Sequence, residues 1–213
     1  MIGVFYCLGA LNGERRDRSI LFWKSLPVSD LTAVLSKAIV PLVILPVLLF
    51  VLISATQLIL LLLSTAVLLV FGSGPTVAML WARSPFFSMP VGLLYSLIAI
   101  VLWHAPLYGW LLLVSGWARR ATFLWAVLPP LAIAAFERIA FRTSYIGFLL
   151  RYRLIGWFTQ GFDYTSRGKA PVDPLTHLTP LRFLSAPGLW LGLVAAAIFL
   201  AAAVRLRRTR EPI

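Results

Sequence analysis

A single cysteine, Cys7, leaves this chain no intrachain disulfide and no thiolate metal cluster. Two histidines, His104 and His177, lack the neighbouring cysteines or acidic pairs at ligand spacing that would suggest a metal site. No Gly-x-Ser-x-Gly elbow is present, and two scattered histidines give no visible triad, so an intramembrane hydrolase has little to stand on. The phosphate-cradling Gly-x4-Gly-Lys-Ser/Thr loop is missing as well. Gly168-Lys169 is followed by Ala170 and lacks the first glycine and the helix context. Any ATP-driven work would therefore need ATP hydrolysis by another chain. Charge is scarce too: from Ala38 to Ala82 there is no Asp, Glu, Lys, Arg or His.

What the chain has is apolar surface. Hydrophobic residues make up 61% of its 213 positions and charged ones only 12%, against roughly 45–50% and about 25% in soluble domains. Apolar runs of 18 or more residues are long enough to cross the ~30 Å hydrocarbon core as helices. Backbone groups there must be satisfied internally, and runs without alternation suit helices rather than a barrel. The expected fold is all-α: a polytopic helical membrane protein with about four full spans, a partial N-terminal span and a cytoplasmic coupling helix. The net charge of +12 sits mainly in flanks: Arg15, Arg16, Arg18, Lys24 and Lys37, then Arg119 and Arg120, then Arg205, Arg207, Arg208 and Arg210. That placement orients a membrane protein and argues against nucleic acid as a partner.

Residues 1–11 reach only ~16 Å as a helix and have no basic leader, so they read as the last part of a span, with the chain expected to be the C-terminal portion of a longer protein or one with a missing start. A charged loop at 12–37 follows. Spans are expected at 38–71, 91–116, 122–141 and 188–204, with a polar external loop at 142–186, all in a single domain, 1–213. Ser29 is a suitable N-cap, with Asp30 favourably placed at the positive helix end. Pro41 and Pro46 should bend the first turns of the first long span. That stretch exceeds one upright crossing, so it must tilt or project beyond the membrane. A hairpin of two spans is the alternative, disfavoured because it would put Arg119, Arg120 and the C-terminal arginines outside. The preferred topology places 12–37, 117–121 and the C-terminus inside. Residues 145–158 carry Arg151 and Arg153 on different helical faces and read as a partly membrane-associated lid or loop.

If residues 14–26 are helical, Ser19, Phe22, Trp23 and Leu26 share one face, while Glu14, Asp17, Arg18 and Ser25 lie broadly opposite. Glu14 and Arg18 have ion-pair spacing, and Pro27 ends the helix. A helix resting on lipid headgroups and a helix docking a partner both fit this pattern. Among intramembrane polar residues, Gln57 suits an interhelical hydrogen bond as well as a substrate contact. Glu137 and Arg138 suit function or simple interfacial reach. His104, beside Pro106, fits a helix–helix hydrogen bond better than a ligand. The tryptophans fit span ends and lipid-facing packing.

The string LNGERRDRSILFWKSLPVSDLTAVLSK, residues 11–37, resembles the segment after the second transmembrane helix in the permeases of bacterial ATP-binding-cassette type-2 exporters. YGWLLLVSGWARRATFLWAVLPP (108–130) and SAPGLWLGLVAAAIFLAAAVRLRR (185–208) are similar, less specifically, to that family's fifth-helix region and terminal helix. The family has six spans, of which this chain lacks the first and most of the second. The resemblance implies a bacterial plasma-membrane permease without catalytic residues, cofactor or metal. It further implies a cytoplasmic cassette ATPase carrying ATP and Mg, and a second permease subunit, identical or not. Glu14, Arg15, Asp17, Arg18, Phe22, Trp23, Lys24, Leu26 and Pro27 would contact that ATPase. The rival reading is a non-transporting membrane anchor or sensor that recruits a cytoplasmic partner through the same loop.

Overall fold

Serine 29 starts the longest helix as its sequence suggests. Its backbone is extended (φ −69°, ψ 147°), and its Oγ accepts a hydrogen bond from the Thr32 amide at 3.1 Å. This satisfies one of the four amides that a helix start leaves unpaired. The computed structural model describes residues 2–17, 29–71, 74–83, 88–118, 120–162 and 178–209. Among these residues the fold is all-helical, with one isolated bridge between Phe162 and Leu178.

Helix α1 spans Ile2–Arg16 and α2 spans Asp30–Ile39. Pro41 and Pro46 each lack an amide donor, which disturbs the α-helical ladder. The backbone responds with a π-helical turn at Val40–Ile44 and continues as α3, Leu45–Phe71. From Asp30 to Phe71 the chain is one helix of 42 residues, about 63 Å long at 1.5 Å per residue. The hairpin alternative does not form. Helix α4, Gly74–Arg83, folds back on α3, and Trp81 Nε1 donates to Thr65 Oγ1 at 3.1 Å.

Helices α5 (Ser88–Trp117) and α6 (Thr122–Ala140) follow, then α7 (Tyr145–Gly161), the short α8 (Pro180–Ser185) and α9 (Pro187–Thr209). Among the described residues, four helices are long and apolar enough to cross a membrane: Asp30–Phe71, Ser88–Trp117, Thr122–Ala140 and Pro187–Thr209. The turn between α5 and α6 is tight. Ala121 takes a left-handed conformation (φ 51°, ψ 49°), and its carbonyl accepts from Leu124 and Trp125.

Two expected loops are shorter than their sequence suggests. The charged loop 12–37 gives its first residues to α1 and everything from Asp30 onward to α2; residues 18–28 lie outside the described residues. The external loop 142–186 contains helices α7 and α8. The absence of a clean apolar stripe concealed α7. Its Tyr152 and Gly156 pack on Trp103 while Arg151 and Phe148 stay exposed, so two differently composed faces are in use.

Contacts fix the direction of each helix. Along α5, Trp103 clusters with Leu189, Gly109 faces Ala196, and Leu113 packs near Ala203, so α5 and α9 run the same way. Gly3 faces Tyr108, Cys7 packs with Leu112, and Leu11 meets Ser115, so α1 is parallel to both. Val34 meets Leu11 and Pro41 meets Gly3, which makes α2 antiparallel to α1. The end of α1, the start of α2, the α5–α6 turn and the end of α9 therefore share one end of the bundle. The core lies where α1, α5 and α9 meet. Lipid tails are as apolar as leucine, so close backbone approach and interhelical hydrogen bonds hold such helices together. A Cβ on Gly109 would stand 3.3 Å from the Ala196 carbonyl oxygen and the Phe199 Cβ. A side chain there would push one of these neighbours back by a few tenths of an ångström.

Candidate functional site

Two of the chain's seven acidic residues flank the segment singled out from sequence, and one arginine holds both. Glu14 ends α1 and Asp30 begins α2, on either side of residues 18–28. Arg207, in the last turn of α9, places Nη2 3.3 Å from Glu14 Oε2 and Nη1 3.7 Å from Asp30 Oδ1. Lys37 Nζ approaches the other Glu14 oxygen at 3.1 Å, and Arg208 Nε lies 3.9 Å from Asp30 Oδ2. The Arg207 side chain is only 6% exposed and that of Glu14 11%, so salt screens this pair less than it would a surface one. A planar guanidinium can divide its two terminal nitrogens between carboxylates on different helices, which an ammonium cannot do in the same geometry.

A hydroxyl reinforces the same end. Ser115 Oγ donates to the Leu8 carbonyl at 2.8 Å and accepts from the amides of Leu11 and Asn12, each at 3.1 Å. The side chain thus meets three backbone groups near the end of α1. It fastens α1 to α5 with three bonds. Interhelical polar contacts of this kind contribute about 0.6–1.7 kcal/mol.

Of the proposed contact residues, Glu14 and Arg15 lie on α1 and Asp17 on the turn that ends it. Asp17 is exposed, its amide bonding back to the Gly13 carbonyl at 2.9 Å. Arg18, Phe22, Trp23, Lys24, Leu26 and Pro27 lie outside the described residues, as does any helix across 18–26. Sequence reasoning missed Arg207, Lys37, Asp30 and Ser115 as members of this site. One signal was present: with seven acids against nineteen basic residues, a buried carboxylate beside a basic loop is an anchor for several cations.

The intramembrane candidates resolve differently. Gln57 Nε2 points to Met89 Sδ at 3.7 Å, a contact between α3 and α5. Glu137 is buried, and both its oxygens serve the start of α7. Oε1 accepts from the Tyr145 amide at 2.7 Å and the Thr143 hydroxyl at 2.9 Å, and Oε2 accepts from the Ile146 amide at 2.8 Å. Ser144 precedes α7 but makes no capping bond. A carboxylate borrowed from α6 therefore satisfies the first amides and faces the positive helix end. Arg138 is exposed. His104 Nδ1 lies 2.9 Å from the Ile100 carbonyl of its own helix, so its bond is local where a helix–helix bond was expected.

Arg153 of α7 forms a second polar feature, towards the opposite end. It donates from Nη1 to the Gly188 carbonyl at 2.9 Å, and its guanidinium carbon lies 5.1 Å from the centre of the Trp103 ring. A Cβ on Gly192 would overlap the guanidinium, so this glycine is required for the approach. Burial lowers the proton affinity of Arg153, with Tyr152 opposing that shift. Between α2–α3 and α5 lies an open cavity of about 270 Å³ lined by apolar side chains including Pro46, Phe50, Leu97 and Val101. Among the described residues no group of His, Cys, Asp and Glu could hold a metal ion.

No protein-family model matches the chain, and no curated protein or solved structure matches it.

Proposed function

We propose that this chain is a membrane-spanning permease subunit of an ATP-driven exporter in the bacterial plasma membrane. The observation that carries this reading is the enclosure of residues 18–28 between Glu14 and Asp30, both held by Arg207 at one end of the helices. The segment contains the charged, aromatic and proline positions that resemble an exporter coupling element. Four helices of membrane-crossing length and composition support a polytopic chain. The arginines near the α5–α6 turn and at the end of α9 support a cytoplasmic assignment for that end.

In this reading the chain catalyses no covalent step and holds no cofactor. A separate cytoplasmic cassette ATPase binds ATP and Mg, and a second permease subunit completes the pathway within the lipid. Phe22 and Trp23 fill a groove on the ATPase, with Arg15, Asp17, Arg18 and Lys24 at its rim; buried aromatics and arginines dominate such interfaces. Leu26 and Pro27 end the contact. Movement of the ATPases displaces the segment and tilts the long helix that begins at Asp30.

The test is a nanodisc pull-down with any cassette ATPase encoded beside this gene. Wild type should retain the ATPase, and simultaneous charge reversal of Arg15 and Arg18, which leaves the Glu14–Arg207 pair in place, should weaken retention, because like-charge contacts cost several kcal/mol. Retention unaffected by the reversal would remove the segment from the interface. No retention by wild type, where a control permease succeeds, would turn the reading to a membrane anchor.

A further inference from the structure

We propose that Arg207 is a positioning residue that clamps the two ends of the 17–29 segment to the last helix, so that displacement of the segment moves α9 together with α2. Sequence alone gives the C-terminal arginines only a topological role. The structure separates them. Arg205 and Arg208 are exposed, whereas Arg207 is buried and divides its two terminal nitrogens between Glu14 of α1 and Asp30 of α2. Its Nε is buried and finds no hydrogen-bond partner among the described residues.

A buried ion pair is a poor device for raising stability, since desolvation offsets most of the attraction, but removing one partner strands the others. Its value lies in specifying one arrangement of three helix ends. Glu14 cannot leave Arg207 without also disturbing Lys37, 3.1 Å away, and Asp30 holds Arg208 as well as Arg207. The rest of α9 is packed closely on α5 through Gly109 and Ala196, and Gly188 near its other end accepts from Arg153. A force on the segment therefore reaches α9 directly and does not depend on the long helix alone. The clamp stands on its own geometry; its role in transport rests on the exporter reading.

Spin labels on Leu31 and Thr209, both exposed, test the clamp in nanodiscs; Cys7 is wholly buried and stays in place. Arg207→Met should broaden the distance distribution between α2 and α9 at least twofold. Arg207→Lys, which carries the charge without the fork, should fall between, and Arg205→Met should match wild type. A width unchanged in Arg207→Met would overturn the clamp. In the reconstituted complex, addition of ATP should shift the Leu31–Thr209 distance as a single population in wild type but leave it broad in Arg207→Met, which still retains the ATPase, with partial rescue by lysine. The same response to ATP in both would overturn the transmission role. Broadened distances in a chain that binds no ATPase would leave the clamp intact while removing the exporter reading.

Discussion

Helices α3 and α5 are both apolar throughout, yet they live in different surroundings. Over its 27 residues α3 buries only Leu61, whereas α5 buries ten residues of 30. Hydrophobicity does not separate them; side-chain size does. The buried set of α5 includes Gly92, Ala99, Ala105, Gly109 and Gly116, which let neighbouring backbones approach. Leucine, isoleucine and valine crowd α3, which keeps Leu58, Ile59, Leu60, Leu62 and Leu63 exposed. In water such a face would be a liability. In lipid it is an ordinary boundary, because tails solvate leucine as well as another helix does. The apolar content of a segment thus decides that it enters the membrane, and its small residues decide what it touches there.

The largest test of this contrast is Gly109→Val. The contacts at 3.3 Å to a carbonyl oxygen and a Cβ leave no room for a branched side chain, so the loss should be about 1–3 kcal/mol. Unfolding in mixed detergent would read it as a lower midpoint, and an unchanged midpoint would break the comparison. Ser115→Ala comes next, at about 1 kcal/mol. It deletes three bonds between α1 and α5. Hydrogen exchange at Leu11 and Asn12 should rise more than exchange in the middle of α5. The smallest effect is expected from Leu60→Ala on the exposed face of α3, within about 0.5 kcal/mol. A shift as large as that at Gly109 would mean that α3 is covered by protein.

Much of the fold could be read from the residues. The long apolar runs mark four helices, Ser29 and Asp30 mark the start of α2, and Pro41 with Pro46 mark the distortion that appears as a π turn. The helix at 145–161 was hidden because periodicity detects one buried face against one wet face, and α7 has neither in pure form. The site was less legible. Glu14 could be picked out by its position, but its partners Lys37 and Arg207 lie 23 and 193 positions away, and spacing rules on a single helix cannot see them. Glu137 could be read from sequence as a functional intramembrane charge or as one that simply reaches the interface. Its partners are backbone amides of the next helix, which sequence does not display.

Sidedness is the claim on which the docking and exporter readings both depend. Single cysteines at Ser19 and Ser166, probed with a membrane-impermeant maleimide on intact cells, test it most directly. The account predicts labelling at Ser166 and none at Ser19 until the cells are opened, because the proposed topology puts the charged end in the cytoplasm and the 142–186 segment outside. Labelling of Ser19 from outside would contradict it, and would remove the cytoplasmic ATPase as a partner of that segment.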